Sequence, residues 1–245
     1  MRRKVEGIVI NAVDYKENSK IINILTKEEG IIGVIARGVK SIKSPLRTTT
    51  TVLSYGEFYL SSRSSGLSTL TEVDITDYFK EIRKDLLKMN YSLFLLELCS
   101  SVSKHDNDNN IYTMLISGLK KINEGYDASI ITNIIEMKLL DNLGIRPNLD
   151  SCVVCGSKFD IVTISSYKGG YLCTNCVGKE TIFHLKTLQL IRMFYYIDLS
   201  KITKIDISET IKKEISLFID DYYERYSGLY LKSKTFLEEF TKVNI

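Results

Sequence analysis

The chain has 245 residues, 44% of them hydrophobic and 26% charged, with a net charge of +3. This balance excludes a disordered chain and supplies a core for one large domain or two modest ones; the basic excess is too small to announce a nucleic-acid ligand unless the cations cluster. No run of 18 or more apolar residues occurs, and the apolar stretch at 5–13 is broken by Glu6, Gly7 and Asn11, so neither a membrane span nor a signal peptide is expected and the compartment read is the cytoplasm.

In chain order, residues 5–13, 20–26, 31–37, 52–61 and 67–75 are rich in β-branched and aromatic side chains and read as strands. In the last of them Leu67, Thr69, Thr71, Val73 and Ile75 share one parity. The serine-rich stretch 61–66, around Arg63, reads as a hairpin loop. Five short strands in succession predict a small barrel, and the OB-fold, which often binds oligonucleotides, is the commonest five-stranded choice. After Tyr78 the period changes. Ile82, Leu86, Met89, Leu93 and Leu96 recur at steps of four and three, the mark of an amphipathic helix. A polar loop at 105–110 leads into a second helix at 111–122. Ile131, Ile134, Ile135, Leu139 and Leu143 mark a third, stopped by Gly144 and Pro147. Residues 185–196 are helical, as is the row Ile207, Ile211, Ile215, Phe218, Tyr222 and Tyr226. Ser233 is expected to cap a short last helix bearing Phe236, Leu237 and Phe240. The expected class is α+β: an OB-fold barrel at 1–79, a helical domain at 80–149 and 179–245, and a metal-binding insertion at 150–178.

That insertion carries the strongest local signal. Cys152-x2-Cys155 and Cys173-x2-Cys176 are separated by seventeen residues, the spacing of a four-cysteine zinc site, and Lys168-Gly169-Gly170 reads as the hairpin of a zinc ribbon. Four sulfur ligands leave no open coordination position, so the expected Zn2+ is structural and not catalytic. A redox dithiol pair or an iron–sulfur cluster is the alternative. His184 stands just beyond the second pair, either a substitute ligand or an ordinary helix-start residue. Cys99, within an apolar helix, reads as a buried thiol. An odd cysteine count with this pairing fits a reducing compartment better than a disulfide framework.

The cations also cluster. Arg37, Lys40, Lys43 and Arg47 follow the third strand, and no acid occurs between them or before Glu57. A basic loop beside a barrel is where oligonucleotide phosphates are gripped. Lys20, with Arg2, Arg3, Lys16 and Arg63, extends the patch. Some of Tyr55, Phe58 and Tyr59 on the neighbouring strand are expected to offer a stacking surface, although at least one of Phe58 and Tyr59 must face the core. The plainer reading is a solvated loop in a lysine-rich chain, with those aromatics inside the barrel. Enzyme signatures fail. Gly33-x4-Gly38 has Val39 where a P-loop has lysine, and neither His105 nor His184 suits a serine triad. Asp74 and Asp77 are the nearest approach to a magnesium-binding pair, while Asp220-Asp221 and Glu238-Glu239 read as solvated helix faces. No catalytic residues are expected.

Several segments, in order along nearly the whole chain, resemble the RecO family of bacterial recombination mediators. They are Val5-Glu6-Gly7-Ile8-Val9-Ile10 with Asp14-Tyr15 and Lys20-Ile21; Thr26-Lys27-Glu28-Glu29-Gly30; Ala36-Arg37-Gly38-Val39-Lys40 with Ser44; and Glu97-Leu98. The resemblance continues in the run from Lys138 to Pro147 leading into Cys152-x2-Cys155-Gly156, in Gly169-Gly170-Tyr171-Leu172-Cys173-x2-Cys176, and in the terminal run from Leu231 to Leu237. It implies an OB-fold followed by a helical domain with a zinc insertion. It further implies binding of single- and double-stranded DNA, a partnership with RecR, recognition of the acidic tail of single-stranded-DNA-binding protein, strand annealing, and loading of RecA onto coated single strands without nucleotide hydrolysis. Arg37, Lys40, Lys43 and Arg47 match the family's basic loop. Lys138 and Arg146, beside Leu139-Leu140, are where the acidic tail is expected. The alternative is a zinc-ribbon protein-interaction adaptor that does not hold DNA.

Overall fold

The structure, a computed structural model, describes residues 2–61, 66–103 and 109–244, so the expected loops around Arg63 and His105 lie outside the described residues. The chain divides into two compact units, residues 1–124 and 125–245.

The first unit opens with β1 (Arg2–Tyr15), β2 (Ser19–Thr26), β3 (Gly30–Ala36), the single turn α1 (Leu46–Thr49), β4 (Tyr55–Ser61) and β5 (Ser68–Asp77). These strands close a barrel in the order β1-β2-β3-β5-β4. Only the β3–β5 pairing is parallel. This is the five-stranded Greek-key closure of the OB-fold. Closure depends on the length of β1. Its first half pairs with β4, from Arg2↔Ser61 to Ile8↔Tyr55, and its second half pairs with β2. Val5, Val9, Ile22, Ile24, Val34, Phe58, Leu60 and Leu70 fill the interior. At Gly56 a Cβ would sit 2.1 Å from the Asp74 carbonyl oxygen, so only glycine lets β4 and β5 approach there.

In β5 the expected single parity is interrupted. Tyr59 pairs with Glu72 but Leu60 pairs with Leu70, so Thr71 is an extra residue in the strand. This bulge turns Leu70 into the core and leaves Leu67 exposed, while Val73 keeps its place against the interior.

Beyond the barrel, the expected helix at Ile82 is two pieces: a turn, α2 (Lys80–Arg83), and α3 (Leu86–Ser103). Asp85 makes the break, its Oδ1 accepting from the N–H groups of Leu87 (2.9 Å) and Lys88 (3.1 Å) as an N-cap. α3 is buried over most of its circumference, not along one stripe. Asn90, Ser92, Ser100 and Ser103 are inside with Phe94, Leu95, Leu96 and Leu98. Ser92 and Ser100 are tolerated there because each hydroxyl donates to the carbonyl four residues back. α4 (Asn109–Asn123) is tied to the barrel through Glu6, whose Oε1 accepts from Tyr55 (2.9 Å) and Tyr112 (3.2 Å).

The second unit holds α5 (Ala128–Asn142), the hairpin β6 (Ile161–Ser165) and β7 (Gly170–Cys173), α6 (Leu185–Tyr196), α7 (Glu209–Tyr226) and α8 (Lys232–Asn244). α8 begins before Ser233, which therefore lies in its first turn rather than at its cap. α5 is the central element. Asp127 caps it by accepting from Ser129 and Ile130, and α6 and α7 pack against it. Within its apolar run, Glu136 keeps only 3% side-chain exposure and meets Lys234 of α8 at 3.6 Å. Lys234 also binds Asp220 of α7, so one ammonium joins three helices. No helix among the described residues is long and apolar enough to cross a membrane.

Candidate nucleic-acid surface and metal centre

The basic loop leaves the barrel at the end of β3. Val39 turns inward and is buried in the barrel core, and Leu46 packs against the same cluster. Between them run three successive turn bonds: Ser41 N–H to Gly38 O (3.2 Å), Ser44 N–H to Ser41 O (3.1 Å) and Arg47 N–H to Ser44 O (3.2 Å). Pro45, with its fixed φ, precedes the α1 turn. Lys40 reaches Asp14 at 2.7 Å, and Lys20 lies opposite both Asp14 in β1 and Ala36 in β3. The loop is therefore held beside the β1–β2 turn, which carries Lys16. Arg37, Lys43 and Arg47 are exposed, and no described carboxylate pairs with them.

Two expectations about the wider patch are corrected. Arg3 pairs with Glu29 in the β2–β3 turn, at the opposite end of β3 from Arg37. Tyr55 and Phe58 are inside: Phe58 belongs to the barrel core, and Tyr55 stacks on Phe79 at 6.2 Å. Burial, reinforced by the Glu6 carboxylate, pushes the Tyr55 hydroxyl up to about 12. Tyr59 is outside, but its hydroxyl donates to Asp74 (3.0 Å). Asp77 accepts from the Phe79 N–H (2.7 Å). Both acids of the supposed magnesium pair thus have structural partners. The Asp220-Asp221 pair is likewise engaged, Asp220 by Lys234 and Asp221 by Ser166 and by Arg225 (2.9 Å).

In the second unit the four cysteines converge. The sulfurs of Cys152, Cys155, Cys173 and Cys176 all lie within 4.8 Å of one another, and Cys155 and Cys173 are 3.6 Å apart. A tetrahedron with metal–sulfur distances of about 2.3 Å has edges of about 3.8 Å, so the donor set fits one thiophilic ion. The first knuckle closes when Gly156, at φ +75°, donates to Cys152 O (2.8 Å). The second closes with Cys176 N–H on Cys173 O (2.9 Å). Around Cys152 burial opposes charge, but the N–H groups of Cys155, Cys173 and Val154 outweigh it and bring the thiol down to about 6. Burial and the neighbouring sulfurs hold Cys176 up at about 12. Cys152 is therefore a readier thiolate than Cys176, whose proton an arriving cation must displace. The ribbon is fastened to the rest of the unit by Asn148, bonded to Gly169 O (2.9 Å) and Tyr171 N–H (3.0 Å), and by the Tyr171 hydroxyl on Leu188 O (2.8 Å). His184 is not in the cluster. Its backbone N–H (3.1 Å) and its Nδ1 (2.6 Å) both meet Glu214 of α7, at the start of α6. Cys99 is buried in α3, which pushes its thiol up to about 12.

Lys138 and Arg146 meet through one residue. Lys138 Nζ lies 3.4 Å from the Tyr195 carbonyl oxygen, and the Arg146 guanidinium lies over the Tyr195 ring at 5.2 Å. Burial draws the Lys138 amine below its ordinary range, against the pull of Asp198 and Asp141. Arg146 also donates to the Tyr196 hydroxyl (3.0 Å) and borders a shallow cleft of about 370 Å³ with Pro147, Asn148, Asp150 and Ser151. Asp150 offsets much of the local charge, lying 3.0 Å from Arg192 and 3.9 Å from Arg146.

Residues 1–79 match the family described as "Recombination protein O N terminal", and residues 83–235 match "Recombination protein O C terminal". The chain belongs to the RecO family. Its relatives include proteins named DNA repair protein RecO from Bacillus pumilus, 38% identical over 96% of this chain and 93% of that protein, and from Bacillus subtilis, 38% identical over 98% and 95%. The corresponding protein of Listeria monocytogenes serotype 4b is 37% identical, again over 98% and 95%. Membership of RecO places the chain among DNA repair and recombination proteins. The features that sequence reading missed are Asp14, which steadies the basic loop, and the Glu136–Lys234–Asp220 cluster. Asp14 stands among a strand's polar residues, and Glu136 and Lys234 are too far apart in sequence for periodicity to join them.

Proposed function

We propose that this protein is a non-catalytic recombination mediator that grips DNA at the end of its barrel. Lys20, Arg37, Lys40, Lys43 and Arg47 take the phosphates of single- and double-stranded DNA. The observation that carries this reading is the loop itself. Arg37, Lys43 and Arg47 stand on a braced turn without described carboxylate partners. Cations left unpaired by the protein are free to replace the counterions of a phosphate backbone. Lys40 spends one donor on Asp14 and retains two. Because the grip reads backbone charge, it is sequence-tolerant, as annealing and loading require.

In this reading the cysteine cluster holds Zn2+, which suits four thiolates in a tetrahedron and keeps the ribbon folded. RecR and the acidic tail of single-stranded-DNA-binding protein are the protein partners, the tail meeting Lys138 and Arg146. RecA is loaded indirectly, on single strands in the cytoplasm at the nucleoid. A zinc-ribbon adaptor that does not touch DNA is the second reading, and exposed Val154 and Phe159 near the first knuckle favour it.

Fluorescence anisotropy with a single-stranded oligonucleotide across a salt series separates the two. With four phosphates engaged, log K falls against log salt with a slope of about −3, and the slope shrinks towards zero when Arg37, Lys40, Lys43 and Arg47 are replaced by alanine. Absence of binding at low salt rejects the mediator reading in favour of the adaptor.

A further inference from the structure

The bracing of the basic loop leaves one apolar side chain out. Val39 and Leu46 are its anchors in the barrel, and three turn bonds and the Lys40–Asp14 pair hold the chain between them. Ile42 lies in the middle of that braced segment and is 86% exposed, more than any other large apolar side chain among the described residues. The exposure is built in, because the residues on either side are fixed. The same loop carries Lys43, Arg37 and Arg47, all exposed and none with a described carboxylate partner.

A branched aliphatic group held in water among unpaired cations matches a ligand that is charged along one edge and apolar along the other. A nucleic-acid single strand is such a ligand: its phosphates repeat along the backbone, and the faces of its bases are free to meet an apolar group. In a duplex those faces are covered by stacking, and an apolar side chain reaches them only by prying a step apart. We propose that Ile42 is the base-contacting tip of the loop. It packs on the face of an unstacked base while Arg37, Lys43 and Arg47 hold the adjoining phosphates. The contact favours single strands over duplex without selecting sequence, since every base presents a face. This inference rests on the loop being the DNA-binding surface.

The test measures affinity of the full-length protein for an oligothymidylate and for a duplex of equal length, each across a salt series. Four proteins are compared: the parent, Ile42→Ser, Ile42→Phe, and the Arg37→Ala, Lys43→Ala, Arg47→Ala triple variant. Ile42→Ser is expected to weaken single-strand binding about fivefold at every salt concentration, with the salt slope unchanged and the duplex affinity altered by less than about twofold. Ile42→Phe, with a larger face for stacking, recovers or exceeds the parent. The thermal midpoints of both Ile42 variants should match the parent's, since the side chain touches solvent. If Ile42→Ser binds the single strand as the parent does while the triple variant loses affinity and slope, the base contact is wrong and the DNA-binding loop stands. A change of slope in Ile42→Ser also overturns it, because the side chain then acts by positioning phosphates. If the triple variant keeps the parent's affinity and slope, the loop is not the DNA surface and both readings fall.

Discussion

The two units hold their small β-structures by opposite means. The barrel closes over a continuous apolar interior in which Val5, Val9, Ile22, Ile24, Val34, Phe58, Leu60 and Leu70 are all buried. Each such side chain contributes about 1.5–3 kcal/mol, so the barrel needs no external staple. In the ribbon of the second unit the core cluster is Cys152, Leu172 and Cys173, with Ile164 and Tyr171 also buried in its strands, and two of the three clustered residues are cysteines of the four-sulfur group. The helices around it also depend on a charged interior group, Glu136, where the first unit keeps its linking carboxylate, Glu6, at the edge. A β-element with a full apolar core is robust to its chemistry, whereas one whose core includes cysteine sulfurs follows the protonation and ligation of a few named atoms.

Metal removal breaks this symmetry most strongly. A structural four-sulfur zinc site supplies on the order of 10–16 kcal/mol in small peptides. Chelation should therefore abolish amide-exchange protection over residues 150–178 while the barrel strands keep theirs. Uptake of the metal should strengthen as pH rises, because Cys176, held up at about 12, must give its proton to the ion. Retention of ribbon protection in the chelated protein would show that the apolar contacts suffice.

Lys234→Met is next in size. It leaves Glu136 buried beside Asp220 without its cation, a loss of about 3–5 kcal/mol in chemical denaturation. Replacing Glu136 by methionine as well should recover most of it. The pH dependence has a definite sign. Burial raises the Glu136 carboxyl, Lys234 opposes the rise, Asp220 adds to it, and the group sits at about 7 instead of its ordinary 4.5. A carboxyl raised in the folded state contributes stability that is full below 4.5 and is lost as pH climbs through about 7. The parent should weaken over that window, Lys234→Met more steeply, and Glu136→Gln hardly at all.

The strands were legible in the sequence because β-branched runs and their turn residues are local signals. So were the cysteine knuckles, whose cysteines fall in pairs with two residues between them, and the basic loop, whose four cations fall within eleven residues that hold no acid. What escaped was set by contacts between distant residues. The Thr71 bulge cannot be seen in β5 alone, since it is defined by Leu60 and Tyr59 in β4. The burial of Tyr55 follows from its Phe79 and Tyr112 neighbours, not from its parity in β4. α3 carries serines that a helical wheel assigns to solvent, yet Ser92 and Ser100 are buried on their own carbonyls. Glu136 stands in a run of isoleucines and leucines, and the residue that accounts for it is on another helix.

Replacing Arg37, Lys43 and Arg47 by alanine is the smallest perturbation of all, since these side chains are exposed and their removal should scarcely move the stability of either unit. The most direct test of where DNA lies is amide hydrogen exchange of the full-length, metal-loaded protein with and without a saturating single-stranded oligonucleotide. Added protection should appear at residues 37–47 and in the adjoining β1–β2 turn, with 150–178 unchanged. Protection confined to the ribbon, with the 37–47 loop exchanging as in the free protein, would contradict a barrel-borne grip on DNA.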